Sequence, residues 1–302
     1  MKKIIAVLVL LVFVFGCTGI PFTGDDRDKK TERHGFGGTS GLSVSFVEDE
    51  PLKEVSRARD IKFTLKVRNN GLYTIPSGSF MARLVGLDNS FNPPELQGAN
   101  SDILAQIDES GIGGETNVEL GSTSYSPEQM FDDRIIKSGS LEVEFCYPYE
   151  TRVIIDPFYI GAKTSDVSKG SVSSNSNSNA PVSVNELEET GGSTYTDFNF
   201  KIKVVGKGTV VPSCFPSKED EKEKNVDLKV FESEVSCYFE DAGERKDIGS
   251  EGVVKLNNLN EKIVHCRIPF QGEKPVKTQL QMVLGYNYLD KVSVPELRIN
   301  RI

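Results

Sequence analysis

After residue 41, hydrophobic and polar positions alternate with a period of two along most of this chain, the spacing of half-buried β-strands. The longest such stretch occurs twice. Residues 141–155 read LEVEFCYPYETRVII and residues 280–294 read LQMVLGYNYLDKVSV. Laid over each other without a gap, they share Leu141/Leu280, Tyr147/Tyr286, Tyr149/Tyr288 and Val153/Val292. They also keep apolar residues at Val143/Met282, Phe145/Leu284 and Ile155/Val294. Alternation before and after each Tyr-x-Tyr predicts two consecutive strands, a hairpin closing each copy. A second pair, FTLKVRNNG at 63–71 over FKIKVVGKG at 200–208, follows in the same order. The chain therefore reads as two copies of one β-domain.

The first copy, 42–162, opens with the strand pattern LSVSF, which Glu48-Asp49-Glu50-Pro51 ends because proline cannot donate to a ladder. Ile61, Phe63, Leu65 and Val67 share one face of a second strand, and Asn69-Asn70-Gly71 supplies its turn. A third strand is expected at 80–85, with weaker patterns at 102–107 and 117–120. Ser126-Pro127-Glu128-Gln129 has the cap, proline and reaching Gln of one helical turn. Residues 163–180 contain SVSSNSNSN, whose polar composition predicts a linker. The second copy, 181–302, restarts with PVSVNELEE and predicts strands at 198–205, 209–211, 226–231, 235–239, 253–256, 263–268, 280–286 and 291–294. Gly208 takes the place of Gly71. Many short strands and almost no helix predict an all-β chain of two tandem immunoglobulin-like β-sandwiches.

The N-terminus has a different pattern. Residues 1–16, MKKIIAVLVLLVFVFG, run from two lysines through an apolar block to a small residue, the layout of a secretory signal. At 1.5 Å per residue the block from Ile4 to Gly16 reaches about 20 Å, short of a hydrocarbon core of about 30 Å. Extended to Phe22 it nears the minimum for an uncleaved anchor, which is the alternative. Val14-Phe15-Gly16-Cys17 resembles a lipobox, although Phe15 stands where a small residue is usual. That resemblance implies a signal ending at residue 17 and lipidation of Cys17; two lipid chains would anchor the protein stably. Cys17-Thr18-Gly19 is similar to archaeal lipoprotein starts. Residues 18–41 are polar and glycine-rich and read as a tether with a reach of roughly 25–30 Å. Asp25, Asp26 and Asp28 lack the glycine and distal glutamate of a calcium loop. Both readings place the body outside the cytoplasmic membrane.

The run Val67-Arg68-Asn69-Asn70-Gly71 followed by Ile75-Pro76 resembles the CARDB and related immunoglobulin-like modules of archaeal and bacterial surface proteins. Tyr147-x-Tyr149-x-Thr151 and the restart Ala180-Pro181-Val182-x-Val184 resemble a group of uncharacterised archaeal surface lipoproteins with two such modules. The resemblance covers most of 42–302 and implies an architecture and a location, with no catalytic residue. Members of that group carry a further cysteine after the first Tyr-x-Tyr. Here Ile154 and Ile155 stand there, which leaves Cys146 without that partner.

Composition narrows the remaining chemistry. With 302 residues, 37% of them hydrophobic, the chain can form two ordinary cores. Lys plus Arg is 35 against Asp plus Glu at 44, a net charge of −9, so nothing draws it to nucleic acid. Beyond Cys17, Cys146, Cys214, Cys237 and Cys266 form an even set, which in an exported chain favours disulfides. Cys237 with Cys266, each inside an alternating strand, is the preferred pair, and Cys146 with Cys214 the remainder. A bond from Cys214 to Cys237 or Cys266 with Cys146 free stays open. No Cys-x-x-Cys or histidine cluster points to a metal, and no cofactor is expected.

His265 beside Cys266 invites a thiol–base pair, but neighbours on a strand face opposite sides. No nucleophile elbow, dinucleotide fingerprint, Walker loop or zincin motif occurs. Tyr147, Tyr149, Tyr286 and Tyr288 would stack across a sheet as fold-defining residues, or form an aromatic ligand strip. Glu48/Glu50 and Glu142/Glu144 read as solvent-facing pairs. The expectation is a non-enzymatic, membrane-anchored surface protein that serves adhesion, envelope structure or assembly with a surface complex, meeting a protein or glycan partner through sheet edges and the loops at 88–121 and 216–225. The alternative is a ligand-capturing transporter lipoprotein, or a secreted hydrolase without a recognisable motif.

Overall fold

Strand alternation carries through the molecule, seen here in a computed structural model. It describes residues 37–300 apart from 57–58, 87–90, 92–95, 106–112, 126–132, 162–171, 174–175, 233 and 273. The signal-like run, Cys17, most of the tether and the turn expected at 126–129 lie outside the described residues.

The first copy contributes β1 (Leu42–Phe46), β2 (Glu54–Ser56), β3 (Ile61–Asn69), β4 (Met81–Val85), β5 (Gln97–Gly98), β6 (Glu115–Thr123), β7 (Arg134–Ile136) and β8 (Glu142–Ile160). The second contributes β9 (Val182–Gly191), β10 (Tyr195–Val204), β11 (Thr209–Val211), β12 (Asn225–Val230) and β13 (Ser236–Asp241). Then follow β14 (Glu244–Gly249), β15 (Glu251–Lys255), β16 (Glu261–Pro269), β17 (Val276–Ser293) and β18 (Leu297–Asn300). The protein is all-β; a three-residue 3-10 turn, Asp220–Lys222, lies between β11 and β12.

Four sheets result. Two smaller sheets are ordered β1-β3-β6 and β14-β13-β16-β10-β9. A central seven-stranded sheet runs β15-β12-β17-β8-β4-β5, with β11 also on β17. The matched strands β3 and β10 play corresponding parts: Phe63, Leu65 and Val67, and Phe200, Ile202 and Val204, all point into the core. Phe198 of β10 meets Phe158 of β8 edge-on at 5.2 Å between ring centres, tying the five-stranded sheet to the seven-stranded one. The buried apolar residues of all four sheets merge into one cluster.

Three features depart from the expectation. First, neither Tyr-x-Tyr turns. β8 is one strand of 19 residues and β17 one of 18, where two strands and a hairpin were expected. The inward phase never changes through Tyr147 and Tyr149, so nothing reverses the chain. At about 3.3 Å per residue such a strand spans some 60 Å. It therefore runs beside β4 at one end, where Val85 pairs Glu142, and reaches β10 through Phe158 at the other.

Second, the two copies are not separate bodies. Residues 33–302 make one compact unit, because β8 and β17 pair along nearly their whole lengths. The C-terminal β18 then returns to the first copy, parallel to β2 and antiparallel to β7. Leu297 and Ile299 are fully buried there.

Third, the end of the stretch expected as a linker is built in. Asn177 accepts from the Val184 amide (2.8 Å) and donates to the Val184 carbonyl (3.0 Å). Ser178 Oγ accepts from the Arg152 amide (2.9 Å). Short polar side chains satisfy backbone groups as readily as they solvate a loop. The expected contact loop at 88–121 also ends in a strand, since β6 pairs β3 from Glu115 onward.

Candidate functional site

The seam between β8 and β17 brings the repeat residues together. Tyr147 lies opposite Tyr288 and Tyr149 opposite Tyr286, with Pro148 opposite Asn287 between them. Ring centres lie 5.7 Å apart for Tyr147–Tyr149, 5.9 Å for Tyr147–Tyr288 and 6.4 Å for Tyr149–Tyr286. Phe145 and Phe80 extend the cluster. Burial holds all four phenols protonated, with pKa values above the ordinary tyrosine value. For Tyr147 the neighbouring phenols and the Asp290 charge add to that rise.

The repeat glycines serve the second tyrosine of each pair. A Cβ on Gly71 would collide with Tyr149 Oη and the Asn179 carbonyl. Gly208 donates its amide to Tyr288 Oη at 2.6 Å. Tyr149 Oη also reaches Asn69 Oδ1 at 3.3 Å, while Asn69 Nδ2 donates to the carbonyls of Tyr73 (2.7 Å) and Ile103 (3.2 Å). A fully buried asparagine is thereby satisfied on both ends.

The residue two beyond each pair differs between copies: Thr151 in the first, Asp290 in the second. Thr151 Oγ1 donates to the Val182 carbonyl (2.6 Å) and lies 2.9 Å from Tyr286 Oη. Asp290 instead lines a cleft of about 500 Å³ with Tyr147, Tyr288, Phe145, Leu42 and Lys207. Burial raises the Asp290 pKa, opposed by the Lys291 amide and by the charges of Lys207 and Lys291. Lys291 itself is engaged by Glu142 at 2.7 Å.

A second polar arrangement lies on the outer face of the five-stranded sheet. Tyr238, His265, Asn199 and Glu188 face one another in one row across four strands. The Arg245 guanidinium caps Tyr238 at 3.8 Å, and Tyr238 stacks on His265 with centres 5.1 Å apart. In the next row Arg267 grips Asp197 with two bonds of 2.6 and 2.8 Å. Asn199 donates to Glu188 at 3.2 Å, so both rows are held by cross-strand pairs of the kind found on a wet face.

The four cysteines beyond residue 17 form two disulfides. Cys237 and Cys266 are directly opposed on β13 and β16, with Cα atoms 4.1 Å apart. Cys146 joins Cys214 on the face of the central sheet away from the tyrosines. The segment carrying Cys214 folds across that face: Asn287 Nδ2 donates to the Pro212 carbonyl (3.0 Å), and Phe215 lies under Arg83 of β4 (4.4 Å). With its sulfur bonded, Cys266 cannot serve as a nucleophile for His265. Glu144 pairs with Arg83 at 2.8 Å, so the carboxylates at 142 and 144 are both ion-paired. Sequence reasoning missed Asp290. The signal was present: on the shared inward phase of YPYET and YNYLD, Thr is exchanged for a charge.

No family model matches this chain, and no curated protein matches it. Among solved structures it is similar to the envelope protein VP37 of White Spot Syndrome Virus, at 8% identity and TM-score 0.22, over 47% of this chain and 98% of that one. It is similar to the secreted serine protease VesC of Vibrio cholerae, at 13% identity and TM-score 0.19, over 84% of this chain and 51% of that one. A protein of Eubacterium rectale described as secreted gives 10% identity and TM-score 0.21, over 82% and 68%. At such scores none of the three assigns a family or an activity.

Proposed function

We propose that this is an exported, non-enzymatic surface protein, held to the membrane by its N-terminus, whose duplicated β-body presents sheet edges and loops to a protein or glycan partner. The observation that carries the reading is the Cys146–Cys214 bond between the copies. With the shared sheet and the returning β18, it makes the two copies one stiff unit, suited to spacing and presentation. Two disulfides belong to an oxidising compartment, which agrees with the signal-like N-terminus. The Ser217–Asp220 hydrogen bond (2.7 Å) gives the exposed 216–225 loop a defined shape.

The test is to fractionate cells that produce the chain, then probe intact cells with protease and a membrane-impermeant crosslinker. Membrane-associated, externally cleavable protein that crosslinks to an envelope component supports the reading. Soluble intracellular protein with Cys146, Cys214, Cys237 and Cys266 all reduced sinks it.

A further inference from the structure

Pro148 and Asn287 mark a local two-fold relationship between β8 and β17, and the positions it relates are filled on one side only. On the closed side Thr151 and Tyr286 are hydrogen-bonded to each other, and Thr151 also to the start of β9. On the other side stand their counterparts, Asp290 and Tyr147, at the cleft of about 500 Å³. Tyr147 is 2% exposed, and its hydroxyl makes no hydrogen bond among the described residues. Asp290 Oδ1 accepts from the Lys291 amide (2.8 Å), which leaves its other oxygen without a protein donor there.

We propose that this cleft binds a small organic ammonium ion with an apolar body. The ammonium would donate to Asp290 and Tyr147, and the body would lie against Phe145, Tyr288 and Leu42. A carboxylate can only accept hydrogen bonds, so the ligand must bring donors. Aromatic faces attract a cation, and the volume lies within the usual small-ligand range. An anionic ligand would meet the Asp290 charge. Two cations face the same carboxylate: Lys291 is held by Glu142, and Lys207 is exposed without an ion pair among the described residues. Lys207 therefore competes with the ligand. The site holds whether or not the surface role above is right.

The experiment titrates the purified full chain at neutral pH with phenethylammonium, 2-phenylethanol and phenylacetate, followed by calorimetry. Phenethylammonium should saturate, and the alcohol and the anion should bind about tenfold or more weakly, the worth of a charge-assisted bond. Asp290→Asn, nearly isosteric, should weaken ammonium binding about tenfold and leave the alcohol unchanged. Tyr147→Phe should weaken it less, and Lys207→Ala should strengthen it. Near-ultraviolet circular dichroism confirms that each variant is folded. Absence of saturation, equal affinity for the alcohol, indifference to Asp290→Asn, or loss on Lys207→Ala would each overturn the proposal.

Discussion

Pro148 lies opposite Asn287, and each is the other's counterpart in the two repeats. A strand paired antiparallel with its own copy about such a point uses one surface twice, as a two-fold dimer does. The inward pairings then recur, apart from the Thr151–Tyr286 hydrogen bond, which Asp290 and Tyr147 do not repeat. The Tyr147–Tyr288 pair is repeated as Tyr149–Tyr286, and the Val143–Val292 pair as Met282–Val153. The hydrogen bond from the Val294 amide to the Leu141 carbonyl has its counterpart in the pairing of Ile155 with Leu280. Each tyrosine is thus packed by residues of both copies.

Gly71→Ala should expose how closely the second tyrosine seats. Its Cβ would strike Tyr149 Oη and the Asn179 carbonyl, and one of these is backbone that cannot swing away. The expected loss is about 1–3 kcal/mol, the cost of an added carbon in a packed core. Gly285→Ala is the control, since its nearest neighbour would be Asp227 Cβ at 3.7 Å, an ordinary contact. That change should stay within about 1 kcal/mol of the parent. Urea midpoints at constant slope measure both.

Leu297→Ala and Ile299→Ala should weaken the first copy although both residues follow the second. Each is fully buried between β2 and β7. The cost should be about 2–5 kcal/mol apiece. Native-state hydrogen exchange should show faster exchange at Val55 and Ile136 while β13 and β16 stay protected. Uniform loss across both copies would mean that β18 does no more than thicken a common core.

The two disulfides should differ in worth. Cys237–Cys266 closes a sequence separation of 29 and Cys146–Cys214 one of 68. In the chain-entropy account their removal costs roughly 3–4 and 4–5 kcal/mol respectively. Paired Cys→Ala variants measured by thermal unfolding give the order. Peptide mapping without reductant should recover Cys146 linked to Cys214, and the opposite order of stabilities would show that packing around each sulfur outweighs loop closure.

Alternation and the repeat made the β class, most strand positions and the equivalence of the tyrosines legible in the sequence. Other features lay beyond it for physical reasons. Period-two patterning marks a strand's faces but not its end, so β8 and β17 read as hairpins until their pairing showed the inward phase carried through both tyrosine pairs. The strands β2, β7 and β18 are three or four residues long, below the length at which a pattern stands out. Their pairing joins distant parts of the chain, which no local window contains. Ser176 to Ala180 has a linker's composition but is spent satisfying backbone groups, an outcome that composition cannot separate from solvation. Of the candidate site, the tyrosines were plain, while Asp290 drew no notice because an acidic residue on a strand usually faces water.

The buried acids of the seam predict how stability follows pH at both ends. Asp290 has its pKa raised by burial, so the folded state holds its proton more tightly than the unfolded chain does. In the window from just below the ordinary aspartate value of 3.8 upward to the raised value, unfolding releases a proton and stability falls as pH rises. Asp290→Asn removes this penalty. The variant should therefore be more stable than the parent at neutral pH, and the gap should close as pH falls through that window. The tyrosines act in the same sense at alkaline pH. Tyr147, Tyr149, Tyr286 and Tyr288 have raised values chiefly through burial, so their protons are kept until the chain unfolds. Stability should then decline as pH rises above the ordinary tyrosine value of about 10. Absorbance at the phenolate band should show these four of the nine tyrosines ionising together with unfolding. Tyr147→Phe should remove one phenol from that late step. Smooth titration of all nine near the ordinary value, with the fold intact, would mean that water reaches the seam.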